Sequence, residues 1–139
     1  MVKWLMNGRE VSAKTPPETS YGFVYELVLK DGKRYLGKKS FWGTTKKKLT
    51  QKEIEDRPSK RHKTWKYVTK ESKWRSYTSS SKLFGSREVV EKHMLKVCKS
   101  KIDLTYWELA VMVERNVLFS DEYLNENLLG KFYKGKINK

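Results

Sequence analysis

The sequence predicts an α/β (α+β) domain: a small antiparallel sheet built around one prominent hairpin and flanked by helices. The first observation is an aromatic and β-branched run at 21–29, which is typical of a strand. A tight turn at Asp31-Gly32 and a second strand-like run at 33–39 follow it. The second observation is a helical apolar period that begins near residue 104. A length of 139 residues fits one domain.

An N-terminal hairpin or edge strand is predicted at residues 1–14. Asn7-Gly8 favours a type I′ turn, and apolar residues stand on both sides of it. The run Thr15-Pro16-Pro17-Glu18 then breaks the pattern and forms a short linker. We therefore expect a single domain, 1–139, that begins with this hairpin.

A strongly basic segment at about 41–75 interrupts the strand pattern. Residues 44–75 contain twelve Lys or Arg and four acidic residues, a surplus of eight positive charges. Apolar residues are sparse there and lack a clear period. We expect a basic insertion, part loop and part short helix, anchored by Trp65, Tyr67 and Trp74. Some of it is expected to become ordered only on nucleic acid.

The second half of the chain predicts more helix. Ser86 is a candidate N-cap for a helix through His93, whereas 93–98 alternates as a strand does, and both possibilities stay open. Asp103 is the predicted N-cap of a helix over about 104–117. Its predicted apolar stripe consists of Leu104, Trp107, Ala110 or Val111, and Val113 or Val117, and a separate face carries Glu108, Met112 and Arg115.

The charge balance points to a polyanionic partner. The chain has 31 Lys and Arg against 16 Asp and Glu, a net charge of +15. Nucleic acid is the partner that such a surplus favours, because each phosphate attracts a cation. A ribosomal or architectural protein, or a merely solubilising surface, has the same charge signature.

Several classes of protein and site are disfavoured. No run approaches the roughly 18 apolar residues of a membrane span, and the N-terminus lacks the apolar core of a signal peptide. Cys98 is the only cysteine, so an internal disulfide is excluded, and with two histidines a structural zinc site is not expected. A reducing, cytoplasmic setting is the expectation. No P-loop, zincin motif or nucleophile elbow is present.

The hairpin carries two triplets, Phe23-Val24-Tyr25 and Tyr35-Leu36-Gly37, with nine residues between the two tyrosines. This arrangement resembles the GIY-YIG nuclease superfamily. Phe23 stands where that family has its first glycine, although Gly22 precedes it directly, and Leu36 replaces the usual isoleucine.

The resemblance continues downstream and covers about 21–127. Basic residues follow the second triplet, Glu108 occupies the place of the family's helical glutamate, and Tyr123-Leu124-Asn125 is similar to its terminal element. The runs YLGKKSFW and WRSYTSSS are most similar to small nucleases encoded by bacteriophages.

The resemblance implies a metal-dependent, phage-type DNA endonuclease that hydrolyses phosphodiester bonds. Glu108 would bind Mg²⁺ or Mn²⁺, which acts as a Lewis acid. Tyr25 or Tyr35 would be the general base, although a phenol with a pKa near 10 needs nearby cations for that role. Tyr35 lies close to such cations in the sequence. Lys39 and one arginine would hold the phosphate, the candidates being Arg57, Arg61 and Arg75.

Further contacts with nucleic acid are expected from basic and amide side chains. The expected partner is DNA, bound mainly through its backbone, and no membrane partner is expected. The protein is expected to act as a monomer or transient dimer in the cytoplasm of a bacterial host. The rival hypothesis is a non-catalytic nucleic-acid-binding or structural protein on the same scaffold, since two tyrosines on adjacent strands are also typical of a packing pair. The residues expected to contact nucleic acid are Lys38, Lys46, Lys47, Lys48, Arg57, Lys60, His62, Lys63 and Asn125, with His62 also a weak candidate base.

Overall fold

The computed structural model describes residues 2–11, 19–56, 65–79 and 84–138, and these form the predicted α+β fold. The described residues contain nine strands and two α-helices. The strands are β1 (Trp4–Met6), β2 (Arg9–Glu10), β3 (Gly22–Leu29), β4 (Arg34–Ser40), β5 (Trp42–Lys48), β6 (Trp65–Glu71), β7 (Val89–Cys98), β8 (Asn127–Leu128) and β9 (Phe132–Tyr133). The helices are α1 (Gln51–Asp56) and α2 (Lys101–Glu114).

The chain divides into two compact units. The first unit comprises residues 1–41 and 73–139, and the second comprises residues 42–72. The second unit lies within the range predicted as a basic insertion.

A five-stranded sheet forms the framework of the first unit, with the order β2-β1-β7-β3-β4. The predicted β3–β4 hairpin is confirmed, and its register places Tyr25 opposite Gly37. Gly32 supplies the positive φ of +87° that the turn requires. The sheet is mixed rather than purely antiparallel, because β1 runs parallel to β7.

Successive strand residues point to opposite sides of this sheet, and different residues pack against its two faces. Val24 and Leu36 lie on the helix face, where they pack with residues of α2 such as Leu104 and Met112. The opposite side, here called the aromatic face, carries an assembly of rings. Its buried members include Trp4, Phe23, Tyr25, Phe41, Trp74 and Phe84.

The N-terminal hairpin is present as β1 and β2. Its turn has positive φ at both central residues, 53° at Asn7 and 80° at Gly8, as a type I′ turn requires. Trp4 on β1 is buried and donates its indole N–H to the Trp74 carbonyl at 2.7 Å. The hairpin therefore contributes a ring to the aromatic face.

The helix predicted from Ser86 is wrong, since residues 89–98 form the strand β7. Strand β7 lies inside the sheet: it pairs with β3 along most of its length and with β1 at Lys92 and His93, so backbone hydrogen bonds between strands favour the extended form. The two consecutive β-branched residues Val89 and Val90 favour a strand locally. Long-range pairing decided what the local alternation left open.

The predicted cap and stripe of α2 also need correction. Ser100, not Asp103, is the N-cap, and its hydroxyl accepts the Asp103 N–H at 3.1 Å. The residues that α2 buries are Leu104, Glu108 and Met112, whereas Trp107 and Val113 of the predicted stripe are exposed. The described part of the chain contains no helix long and apolar enough to cross a membrane.

In the second unit the predicted short helix is present as α1, but strands stand where loop was predicted. β5 and β6 form an antiparallel ribbon with seven paired positions from Trp42↔Glu71 to Lys48↔Trp65, and α1 follows β5. Threonines and aromatic residues on the strands favour this structure locally. Sparse apolar content was misleading because both sides of the ribbon are largely exposed and so need few apolar residues.

A buried carboxylate joins the sheet to the end of α2 in the first unit. Glu26 on β3 forms ion pairs with both Arg34 and Arg115, and its side chain is 2% exposed. The hydroxyl of Tyr123 donates to the same carboxylate at 3.3 Å. A charge in this position requires such partners, since burying an unpaired carboxylate costs several kcal/mol, on the order of the effective penalty for one buried ion.

Candidate active site

The Tyr25 side chain lies in the aromatic face, with its hydroxyl over the backbone of β4. Its ring packs against Trp4 at 5.6 Å and Tyr77 at 5.9 Å between centroids. The hydroxyl occupies the space above Gly37, where an added Cβ would lie 2.5 Å from the Tyr25 oxygen. The glycine of the second triplet is therefore required for close approach of the tyrosine of the first.

Replacing Gly37 with Ala is expected to displace Tyr25 and to lower the free energy of unfolding by about 1–3 kcal/mol, the usual cost of overpacking. Gly43→Ala on β5 is the matched control, since its nearest neighbour to an added Cβ is the Lys70 carbonyl at 3.9 Å. Urea unfolding of both variants measures the difference. Equal stability of the two variants would contradict the proposed contact between Tyr25 and Gly37.

The environment of Tyr25 favours a neutral hydroxyl. Burial raises the pKa of Tyr25 well above its usual value of 10, and a hydrogen bond with the Ser79 side chain opposes this only in part. Tyr35 is only half-buried, with its ring 6.5 Å from that of Tyr25 and 5.2 Å from that of Phe84. Of the two predicted bases, Tyr35 is thus the more accessible.

Two predicted phosphate contacts, Lys39 and Arg75, belong to the same aromatic assembly. The Lys39 ammonium lies 4.7 Å from the centroid of the Tyr77 ring, and Tyr77 contacts Tyr25. The Arg75 guanidinium stacks 4.4 Å above Trp74, while the residue as a whole is exposed. Cation–π contacts hold both cations against rings of this assembly without neutralising their charge, and Lys39 is the one held next to a neighbour of Tyr25.

Two buried side chains donate hydrogen bonds to backbone carbonyls of the turn that carries Arg75. The indole of Trp4 donates to the Trp74 carbonyl, and the ammonium of Lys92 donates to the Arg75 carbonyl at 3.0 Å. Lys92 itself is fully buried and lies 4.4 Å from the Trp4 ring centroid. These bonds fix the backbone of the 3-10 turn at Trp74–Ser76 against the sheet.

The contribution of Lys92 to the stability of the protein is expected to rise with pH above about 8. Burial lowers the Lys92 pKa from 10.5 to about 8. Between these values the unfolded state holds more protons than the folded state, so raising the pH favours folding by up to about 1.4 kcal/mol per unit. Urea unfolding from pH 7 to 10 should show this slope in the wild type and lose it in Lys92→Met. A slope that survives in Lys92→Met would assign it to other groups.

Glu108 lies on the buried side of α2, beside Lys38 of β4. Its carboxylate is 3.9 Å from the Lys38 ammonium, which also donates to the Thr105 hydroxyl at 3.1 Å. Burial raises the pKa of Glu108, and the positive charge of Lys38 partly opposes that shift. The result is a poorly hydrated carboxylate whose charged form a cation would stabilise.

The tyrosines and Glu108 lie on opposite faces of the sheet, separated by the edge strand β4. Lys39 and Gly37 belong to the aromatic face, whereas Lys38 belongs to the helix face because strand residues alternate. Strand β4 pairs with β3 on one side only. Groups from both faces therefore converge only at this edge.

The first half of that edge is covered by the segment 122–125. Arg34 donates its N–H to the Glu122 carbonyl at 2.7 Å, and Leu124 donates to the Arg34 carbonyl at 2.8 Å. The Asn125 amide accepts the Leu36 N–H at 3.0 Å and donates to the Leu36 carbonyl at 2.7 Å. Alternate residues of an edge strand point their backbone N–H and C=O groups away from the sheet. After Arg34 and Leu36 the next such residue is Lys38, which lies just beyond the segment 122–125.

The sequence of the chain matches a family model described as "Putative endonuclease segE, GIY-YIG domain" over residues 4–128. The match includes both triplets, Glu108 and Asn125. The chain belongs to the GIY-YIG endonuclease family. No curated protein and no solved structure matches the chain.

Within this GIY-YIG domain, Asn125 has a structural role that sequence reasoning did not assign. Its side chain is buried, and both ends of its amide bind the Leu36 peptide at the centre of the second triplet. The predicted contact of Asn125 with nucleic acid remains a prediction. Its observed bonds position β4, the strand that carries Tyr35 and Lys38.

The other predicted contacts of this GIY-YIG protein follow the tyrosine hairpin, which consists of β3 and β4, in the chain. Lys46, Lys47 and Lys48 are exposed on β5 of the second unit. The remaining predicted residues lie outside the described part of the chain: Arg57, Lys60, Arg61, His62 and Lys63.

Glu108 is the predicted metal ligand, and the described residues around it decide whether a metal fits there. Among the described residues there is no group of three or more His, Cys, Asp or Glu side chains suited to a metal. A single carboxylate nevertheless fits Mg²⁺, which keeps several waters and takes its other ligands from substrate phosphates. Glu108 has the chemistry for that role.

Sequence reasoning missed three residues that shape the site. Lys92 and Tyr77 support the turn and the cations of the aromatic face, and Thr105 binds the Lys38 ammonium. Tyr77 stands in the run WRSYTSSS, which resembles small phage nucleases, so the sequence carried a signal for it. Lys92 gave none, because a lysine in a strand is ordinarily exposed.

Proposed function

We propose that this GIY-YIG protein is a phage-type DNA endonuclease that uses Mg²⁺ or Mn²⁺ to hydrolyse phosphodiester bonds at the edge of β4. It acts as a monomer or transient dimer in the cytoplasm of a bacterial host. The net charge of +15 supports a polyanionic substrate.

The observation that carries this proposal is the buried Glu108 carboxylate beside Lys38. The pair lies where the cover of β4 by residues 122–125 ends. A buried acid with one cationic neighbour is suited to hold a divalent ion when phosphate oxygens complete the coordination. Burial also strengthens any electrostatic contact made there, because the local dielectric is low.

Hydrolysis requires an attacking water, stabilisation of charge on the phosphate, and a group that accepts the proton of the water. The oxygen of the water forms a bond to phosphorus while the bond to the leaving deoxyribose oxygen breaks. Tyr35 in its deprotonated form is the preferred proton acceptor, since burial makes deprotonation of Tyr25 unfavourable. Tyr25 instead offers a hydroxyl that can donate to a phosphate oxygen.

The cations have distinct parts. Lys39 and Arg75 contact the phosphate from the aromatic face, and Lys38 does so from the helix face. Glu108 would hold the metal, which when bound supplies Lewis-acid stabilisation of the developing negative charge. Asn125 keeps β4 in register for these contacts through its two bonds to Leu36.

Cleavage of supercoiled plasmid tests the proposal. The protein is incubated with plasmid in Mg²⁺, in Mn²⁺ and in EDTA, and nicked and linear forms are separated on a gel. We expect products in both metals and none in EDTA. Intact plasmid in every metal, together with retained DNA binding, would favour the non-catalytic DNA-binding protein. Cleavage that persists in EDTA would remove the metal from the proposal.

A further inference from the structure

The β5–β6 ribbon of the second unit has two faces of different composition. The register of seven antiparallel pairs assigns each side chain to a face. The front face carries Trp42, Thr44, Lys46, Lys48, Trp65, Tyr67, Thr69 and Glu71. The back face carries Gly43, Thr45, Lys47, Lys66, Val68 and Lys70.

The front face places a lysine directly opposite each of two aromatic residues. Lys46 pairs with Tyr67, and Lys48 pairs with Trp65. The Lys46 ammonium lies 3.9 Å from the Trp65 ring centroid, and the Trp65 and Tyr67 rings meet edge to face at 4.8 Å. Tyr67 is nevertheless 66% exposed. The contacts orient the two rings but leave Tyr67 available to a partner.

The back face is partly neutralised by α1. Lys66 forms an ion pair with Glu53, and that carboxylate also accepts the Thr50 N–H at 3.1 Å. The Thr50 hydroxyl accepts the Glu53 N–H at 3.3 Å, so the two residues form a capping box that fixes Glu53. An anionic partner therefore meets a fixed carboxylate on the back face. The front face has one acidic residue, Glu71, at the opposite end from Lys48.

Duplex DNA is a partner that fits the front face in shape and chemistry. A two-stranded ribbon is marginally stable in water, so an exposed ribbon gains from a surface that covers it. The major groove admits a two-stranded ribbon. Lysines can bind the phosphates at the groove walls, while hydroxyl groups and ring edges at the centre can contact bases.

We infer that the front face of the β5–β6 ribbon docks in the major groove of duplex DNA, with Lys46 and Lys48 on phosphates and Tyr67 against base edges. This inference rests on the proposed function in one respect, that DNA is the substrate. It adds that the protein recognises its substrate through one face of the β5–β6 ribbon, an element outside the tyrosine hairpin. The ribbon then determines affinity and position on DNA rather than the rate of the chemical step.

The test compares two double variants that lose equal charge from opposite faces. Lys46→Thr with Lys48→Thr alters the front face, and Lys47→Thr with Lys70→Thr alters the back face, with threonine preserving strand propensity. Both carry Glu108→Gln, so that binding is measured without cleavage. Fluorescence anisotropy with a labelled 20-bp duplex gives Kd across a salt series, and circular dichroism verifies that each variant is folded.

The front-face variant is expected to weaken duplex binding by at least about tenfold and to reduce the salt slope by about 2, close to 0.9 per phosphate contact. The back-face variant should change the Kd by less than about threefold, by the same relation for lysines that contact no phosphate. The inference thus departs from the contact expected of Lys47 from sequence, because the register puts Lys47 on the back face. Equal losses in the two variants would overturn the assignment of a face. Tighter binding of the corresponding single strand would overturn docking in the groove.

Tyr67→Ala provides an independent measurement. Cleavage of a long duplex by the otherwise wild-type enzyme should lose its preference among sites, while kcat at saturating DNA stays within about twofold because the hairpin chemistry is untouched. An unchanged cleavage pattern would contradict base contact by Tyr67. Binding and cleavage are measured separately, so the two ideas fail in different ways. A protein that binds DNA through the ribbon but does not cleave it contradicts the proposed function, whereas an active enzyme whose binding does not depend on the ribbon contradicts this inference.

Discussion

Glu108→Gln is expected to reduce DNA cleavage by at least about a hundredfold while the protein stays folded and still binds DNA. Glutamine has nearly the same shape but carries no negative charge, so it cannot hold the divalent ion that the proposed function requires. Loss of a single group that stabilises transition-state charge typically costs about 10²–10³ in kcat. Single-turnover cleavage of a labelled duplex in Mg²⁺ measures the effect.

Glu114→Gln is the control for this prediction. Glu114 lies on the same helix α2 but is exposed, and the substitution makes the same chemical change. Its cleavage rate should match that of the wild type. A rate that falls with Glu114→Gln and not with Glu108→Gln would transfer the metal-binding role to the exposed carboxylate. Equal activity of all three proteins would leave both carboxylates outside the reaction.

Glu26→Gln is expected to lower the free energy of unfolding by about 2–3 kcal/mol. The substitution removes the buried anion that Arg34 and Arg115 share, and breaking a buried pair by removing one partner usually costs about 3–5 kcal/mol. The two arginine side chains are 40% and 38% exposed, so both can partly regain water, and we expect a loss at or somewhat below the bottom of that range. Urea unfolding at pH 7 measures the change.

Glu10→Gln provides the matched comparison for Glu26. It breaks the ion pair with Lys3, in which both side chains are more than half exposed. Such surface pairs contribute about 0–1 kcal/mol, so little change is expected. A loss in Glu26→Gln no larger than that in Glu10→Gln would show that the shared carboxylate does not link β3 to the end of α2. The ion pairs of Glu26 with Arg34 and Arg115 would then contribute no more to stability than an exposed ion pair does.

The hairpin shows how far local sequence can determine structure. Its turn needs a residue that tolerates positive φ, and Gly32 stands there. Its strands are rich in residues that favour β-structure, and both were predicted within one or two residues. Short-range signals sufficed because each of them acts within a few positions along the chain.

The active-site candidates were harder to predict because their environment comes from distant residues. Glu108 was expected on a face separate from the apolar stripe of its helix, yet α2 turns that face toward the sheet, where Lys38 is its neighbour. Helical spacing gives which residues share a face but not which face meets the core. The first part of strand β7 was predicted as helix for a related reason, since the pairing of this strand with β3 and β1 outweighs a local preference for helix.

By itself the sequence determined the basic character, the α+β class, the tyrosine hairpin and the family. Charge, strand propensity and motif order are properties of the chain that no packing can change. Only the tertiary structure decided that Tyr25 is buried over Gly37, that Glu108 lies across β4 from the tyrosines, and that Asn125 clamps Leu36. Burial, pKa and mutual position arise from contacts between residues far apart in sequence, and those contacts exist only once the sheet has formed.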